Sequence, residues 1–158
     1  MITTLHLQGD PKTIGLTHGT EGKAEVINSL EAYERFFKQI KLLSWKEARE
    51  IALTHLDGIE KFDLAILEEM EGIAKGAGVD FEDILTLNTR SEIAITNNFL
   101  NDSIRLNDGC TTVAMTIPLT DDLIIGQTWD WTPTQKKSLL LTHLKQEGKP
   151  DITMVTEG

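Results

Sequence analysis

Cys110 is the only cysteine in the chain, and it sits in the segment Asp108-Gly109-Cys110-Thr111-Thr112. An ionised thiol is the most nucleophilic of the ordinary side chains. A glycine before it can take backbone angles closed to other residues, so the Gly109 carbonyl can be presented to the thiol in a strained geometry. Attack by Sγ would form a carbon–sulfur bond, break the 109–110 C–N bond and hand the proton to the departing nitrogen. Hydrolysis of the thioester would then free Cys110 as a new N-terminus. Its α-amino group, with an ordinary pKa of about 7.7–8, is a competent base near neutral pH. Nucleophile and base would be one residue, the logic of the N-terminal threonine enzymes. A lone cysteine is otherwise a small buried hydrophobe.

Two further stretches carry reactive groups. In Gly126-Gln127-Thr128-Trp129-Asp130-Trp131 the carboxylate of Asp130 could hydrogen-bond the new ammonium or orient the thiol. The plainer alternative is that Asp130 caps a turn and the tryptophans are core. In Leu87-Asn88-Thr89-Arg90-Ser91-Glu92, Arg90 and Glu92 could face a pocket, although charges on a solvated helix are routine and residues two apart do not share a face. Arg90, Glu92 and Thr111 are therefore supporting candidates behind Cys110, Gly109 and Asp130. The four histidines, at 6, 18, 55 and 143, show no metal-ligand spacing, and one cysteine excludes a cysteine metal cluster, so no metal site is expected. A cysteine–histidine pair working without self-cleavage stays open, but nothing picks the partner. Gly72, Lys75 and Gly76 fall in a helix pattern, not after a strand, so no phosphate loop is expected.

The elements that would position these groups follow from local pattern. Asp10-Pro11 is a helix start, with a cap oxygen before a proline. Ile27, Leu30, Tyr33, Phe37 and Ile40 recur as one apolar stripe. Ser44-Trp45-Lys46-Glu47 is a capping box opening a helix with Trp45, Ala48, Ala52 and Leu56 inward, ended or bent at Gly58. A third helix carries Ile66, Met70, Ile73 and Ala77, stopped by Gly76 and Gly78. Asp80 caps a fourth, with Ile84, Leu87, Ser91 and Ile95 in line. From Asn101, Asp102, Asn107, Asp108 and Gly109 the chain turns polar. Strands are then expected over 111–117, 123–128, 138–143 and 152–156, joined by short turns at 118–122 and 147–150, hence an antiparallel meander. The expected class is α+β: a helical region at 1–109, then the start of a β-rich region at 110–158, which reads as a sheet cut short.

With 158 residues, 40% hydrophobic and 25% charged, the chain suits one globular domain with a real core. A net charge of -10 argues against nucleic-acid partners. No apolar run spans a bilayer and the first residues do not read as a secretory signal, so no membrane partner and a cytoplasmic location are expected.

Taken together, five stretches resemble the isopenicillin N acyltransferase family among the N-terminal-nucleophile hydrolases. They are Gly9-Asp10-Pro11 with Ile14-Gly15 and His18-Gly19; Gly72-Ile73-Ala74-Lys75-Gly76-Ala77; Leu87-Asn88-Thr89-Arg90 with Glu92; Asp108-Gly109-Cys110-Thr111-Thr112; and Gly126-Gln127 with Trp129-Asp130. The resemblance implies an αββα sandwich of two antiparallel sheets between helices, of which this chain is the N-terminal part. It implies a zymogen cut between Gly109 and Cys110, with 1–109 as small subunit, and a supporting role for Asp130. The implied activity is a cysteine acyltransferase or amide hydrolase working through a thioester on a small-molecule acyl amide or acyl donor. An acyl-coenzyme A donor enters by resemblance only, and no cofactor is required. Thr128 stands where these acyltransferases often carry asparagine, and Gln127 where ceramidase-like amidases carry arginine. The family chain continues for about another domain. That remainder is expected to supply the second sheet and an oxyanion donor worth about 3 kcal/mol, so these 158 residues alone are expected to be uncut and inactive. The rival reading is an inactive binding or assembly module, its exposed apolar face taken by the remainder or by a self-association partner.

Overall fold

The structure, a computed structural model, describes residues 2–96, 109–120 and 122–158, and side chains within these except those of Ile40, Ile95 and Thr96. The expected polar turn at Asn101, Asp102, Asn107 and Asp108 lies outside the described residues. The elements are β1 (Thr3–Gln8), α1 (Pro11–Glu21), α2 (Lys23–Phe36), α3 (Trp45–Leu53), α4 (Leu56–Phe62), α5 (Leu64–Ala77), α6 (Phe81–Asn88), α7 (Arg90–Thr96), β2 (Thr112–Thr116), β3 (Leu123–Gln127), β4 (Leu139–Lys145) and β5 (Ile152–Glu157). A π-helical turn, Phe37–Lys41, extends α2, and a 3₁₀ segment, Pro133–Ser138, precedes β4. The chain is α+β. Met1–Phe99 and Thr134–Gly158 make one compact unit, and Leu100–Pro133 makes a second.

In the first unit a sheet of order β1-β4-β5 lies against helices. β1 runs parallel to β4, which runs antiparallel to β5. Along β1 the period-two rule holds: Leu5 and Leu7 are buried and Thr4, His6 and Gln8 are exposed. Leu5, Leu7, Ile14 and Leu140, with Leu144 packed against them, form the seam between sheet and α1. The second unit contains the antiparallel pair β2–β3, Thr112 opposite Gln127 and Thr116 opposite Leu123.

Two expectations fail here. The first residues are a strand, not part of a helical region. The four late strands are not one meander: β2–β3 and β4–β5 fall in separate sheets, and β4 takes β1 as its other neighbour. The physical reason is the connection. Between β3 and β4 stands the 3₁₀ segment with Gln135 and Ser138 buried, not a tight turn, and it delivers β4 to a non-local partner.

Several helix signals read correctly. Asp10 Oδ1 accepts the Thr13 N–H at 2.7 Å, and Ser44 and Glu47 form the capping box. Gly78 ends α5 in the left-handed region at φ 73°. Others were misplaced. Gly58 lies inside α4, since the break falls at Thr54 and His55. Gly76 lies inside α5, and the fourth helix divides at Thr89 into α6 and α7. On α2 it is Val26, Ser29, Ala32 and Tyr33 that are buried, with Phe37 beyond them, while Ile27 and Leu30 are only half-buried.

What holds the helical layer is the α1–α5 pair. A β-carbon on Gly15 would collide with the Glu69 carbonyl oxygen, and one on Gly19 with that of Ile73. In return, one on Gly72 would strike Lys12 O and one on Gly76 would strike Leu16 O. Backbone lies directly on backbone, a spacing only glycine permits.

Candidate functional site

The candidate site lies at the first described residues of the second unit. Cys110 is a free, exposed thiol, so it is not the small buried hydrophobe of the plain reading. The β2–β3 ladder runs on past the strands: Thr128 N–H donates to Thr111 O at 2.9 Å, and Thr111 N–H donates to Thr128 Oγ1 at 3.0 Å. Thr128 thus uses its hydroxyl to fix the backbone one residue from the thiol. Asp130 is exposed two residues further on.

A β-carbon on Gly109 would meet nothing within 4 Å.

Arg90 and Glu92 part company, as residues two apart on a helix must. Glu92 borders a surface cleft with Phe62, Ile66 and Met70. Arg90 turns to the sheet side. Its Nε donates to Tyr33 Oη at 3.0 Å, Nη1 donates to Leu87 O at 2.7 Å, and Nη2 lies 3.5 Å from Glu157 Oε2. Tyr33 Oη in turn donates to Glu157, 3.0 Å from Oε2. Gln135, Ser138 and Asn28 extend the chain of bonds, Ser138 Oγ to Gln135 Oε1 at 2.7 Å and Asn28 Nδ2 to Ser138 Oγ at 2.7 Å. The network ties α2, α7 and β5 together. Arg90→Ala should lower stability by about 1–3 kcal/mol, because it strands the Glu157 carboxylate, which is mostly buried. Arg90→Lys should recover only part, since an ammonium cannot reproduce the guanidinium fork. Urea midpoints of the three proteins check this, and equal midpoints would contradict it.

Beside this network is a cavity of about 180 Å³ lined by Leu7, His18, Glu69, Arg90, Thr142 and Glu157, among others. His18 is buried, and its Nε2 has no hydrogen-bond partner among the described residues. Burial holds its pKa below 6.5, against the opposing pull of the Glu25 charge. Burial raises Glu69 and Glu157 above 4.5, opposed by Lys149 and by Arg90 respectively. The signs differ. Between its folded pKa and 6.5 the unfolded state binds the His18 proton more readily, so His18 removes stability as pH falls below 6.5. The two glutamates favour folding below 4.5 and lose that contribution as pH rises through their elevated values. His18→Gln should therefore gain on the parent chain as pH drops from 7.5 to 5. Parallel urea-midpoint curves against pH would refute this.

Sequence reading missed His18, Glu69, Tyr33 and Glu157, whose partners are remote in the chain. His18 lay within a quoted motif and was the one that position alone could have flagged.

No protein-family model matches the chain. It is 32% identical over 152 residues, 96% of its length, to the "Acyl-coenzyme A:6-aminopenicillanic-acid-acyltransferase 40 kDa form" of Emericella nidulans. The chain spans 40% of the length of that relative. No helix among the described residues is long and apolar enough to cross a membrane.

Proposed function

Because this chain is a relative of an acyl-coenzyme A:6-aminopenicillanic acid acyltransferase, as its motifs led one to expect, we propose that it carries the nucleophile-bearing part of an acyltransferase or amide hydrolase of that kind. The observation that carries the reading is an exposed free thiol immediately after Gly109, at the mouth of a strand whose ladder runs on toward Asp130. In this reading Cys110 Sγ attacks the Gly109 carbonyl, the 109–110 bond opens, and water releases the Gly109 carboxylate and the Cys110 amine. The α-amino group then takes the thiol proton, Sγ attacks an acyl carbonyl, and the leaving thiol or amine departs with that proton. A water or an amine acceptor takes the acyl group from the thioester. Asp130 orients the ammonium or the thiol, and Thr111 with Thr128 holds the strand still. Arg90 acts through the fold, as a positioning residue bonded to Tyr33 and paired with Glu157. The second sheet of an αββα sandwich and the oxyanion donor belong, on this reading, to the length of the relative that this chain does not span.

A second reading is a binding or assembly module. It is favoured by the apolar residues that β2 and β3 leave exposed, Ile125 at 73% and Val113 at 49%. A two-stranded ribbon is marginal alone and gains from a covering partner, here the remainder of such a chain or a second copy.

Acyl-enzyme trapping separates the two. A polypeptide of the relative's full length, mixed with an acyl-coenzyme A and quenched in acid, should release coenzyme A thiol and carry one acyl group on the peptide that begins at Cys110. The 158 residues alone should stay unacylated. No acylation in the longer polypeptide would favour the module, and acylation at another residue would overturn Cys110 as the nucleophile.

A further inference from the structure

The outer face of the β1-β4-β5 sheet carries a second arrangement of chemistry-bearing residues, independent of Cys110. His6 on β1 stands directly opposite His143 on β4, and His143 stands directly opposite Thr153 on β5. The imidazole rings are stacked, 4.9 Å between centroids and 16° between planes. His143 Nδ1 is 2.9 Å from Thr153 Oγ1. His6 is exposed and His143 half-exposed, so both rings are open to solutes. We propose that His6 and His143 form a two-imidazole site for a divalent transition-metal ion of the nickel, copper and zinc class.

Three physical points support it. Imidazole nitrogen is the donor that these ions prefer over magnesium or calcium. The two ligands are carried on adjacent, hydrogen-bonded strands, so little backbone freedom is lost on chelation. The Thr153 hydroxyl can accept the Nδ1 proton of His143, which fixes that ring and its tautomer and leaves Nε2 as a lone-pair donor; ligand histidines ordinarily have such a partner. Two nitrogens at about 2.0–2.1 Å from one ion lie closer together than the present ring centroids. His6 is exposed, so its ring can turn out of the stack to aim a nitrogen at the ion. Lys145, two residues along β4, is drawn to Asp151 at 3.3 Å, which reduces its repulsion of an incoming cation. No cluster of three or more metal-type side chains exists among the described residues, so solvent completes the coordination. The pairing was invisible in the sequence because only the parallel register of β1 on β4 brings the two histidines level.

The probe is Ni²⁺, titrated into protein carrying Cys110→Ala, which removes the exposed thiol as a competing ligand. The ring resonances of His6 and His143 should broaden together at the lowest metal additions while those of His18 and His55 persist. Calorimetry should show one equivalent bound. His6→Ala and His143→Ala should each weaken binding at least about tenfold with melting temperature unchanged, and Thr153→Val about tenfold through ring orientation alone. If His143→Ala disturbs the sheet, His6→Gln, at an exposed position, gives the same comparison. Equal broadening at His55, or an affinity untouched by the His6 substitution, would overturn the site.

Discussion

Gly15→Ala should cost the chain more than about 3 kcal/mol of stability, and Gly19→Ala about as much. On helix propensity alone each change would gain roughly 1 kcal/mol. The loss comes from the facing helix. The new methyl at either position meets a carbonyl oxygen of α5, Glu69 O or Ile73 O, and backbone cannot rotate away as a side chain can. To relieve the clash α1 must lift from α5, where Gly15 and Gly19 are both buried against its backbone. Close-packed interiors do not absorb such shifts cheaply. Gly58 supplies the internal comparison. It is exposed within α4, and a β-carbon there meets nothing within 4 Å. Gly58→Ala should stabilise by about 0.5–1 kcal/mol. Urea denaturation of the three variants tests this, and a Gly15→Ala protein as stable as the parent would show that the helices are not in backbone contact.

Cys110→Ala is expected to abolish both self-cleavage and turnover in a polypeptide of the relative's length, with acyl transfer falling by on the order of 10⁴–10⁶. The variant lacks the thiol that follows Gly109, the only cysteine of these 158 residues, and an alanine there supplies no nucleophile to the freed amine. Because Cys110 is exposed, its loss should leave stability within about 0.5 kcal/mol. An inactive variant is then inactive for chemical reasons, not because it unfolds. Residual cleavage at the same bond would mean that an outside protease cuts there and that Cys110 is not the agent.

Local signals were legible and long-range ones were not. Asp10-Pro11 and Ser44 with Glu47 announce helix starts because a cap oxygen three residues from its N–H is settled within one turn. The strand pattern of Thr3 to Gln8 was present in the alternation of Leu5 and Leu7 with exposed neighbours, yet six residues before a strong helix start were read with the helices. Its parallel partner β4 lies more than 130 residues away in sequence, and no local feature points to it. Gly58 and Gly76 misled because glycine was read as a breaker. At Gly76 the reason is packing, and the i, i+4 glycines of α1 and α5, 15 with 19 and 72 with 76, were the signal for it. At the candidate site the thiol and Asp130 are proposed from residue type and neighbours alone. Arg90 was found too, but its hydrogen bonds to Tyr33 and its pairing with Glu157 could only be seen once α2, α7 and β5 were brought together. The same holds for His18, whose Nε2 has no hydrogen-bond partner among the described residues.

The most direct test of the nucleophile is the intact mass of purified polypeptide of the relative's full length. Two species should be found, one ending at Gly109 and one beginning at Cys110, their masses summing to the uncut chain plus one water, while the Cys110→Ala protein remains a single species. An uncut parent that nevertheless transfers acyl groups would contradict the account, because the α-amino base would then never have formed.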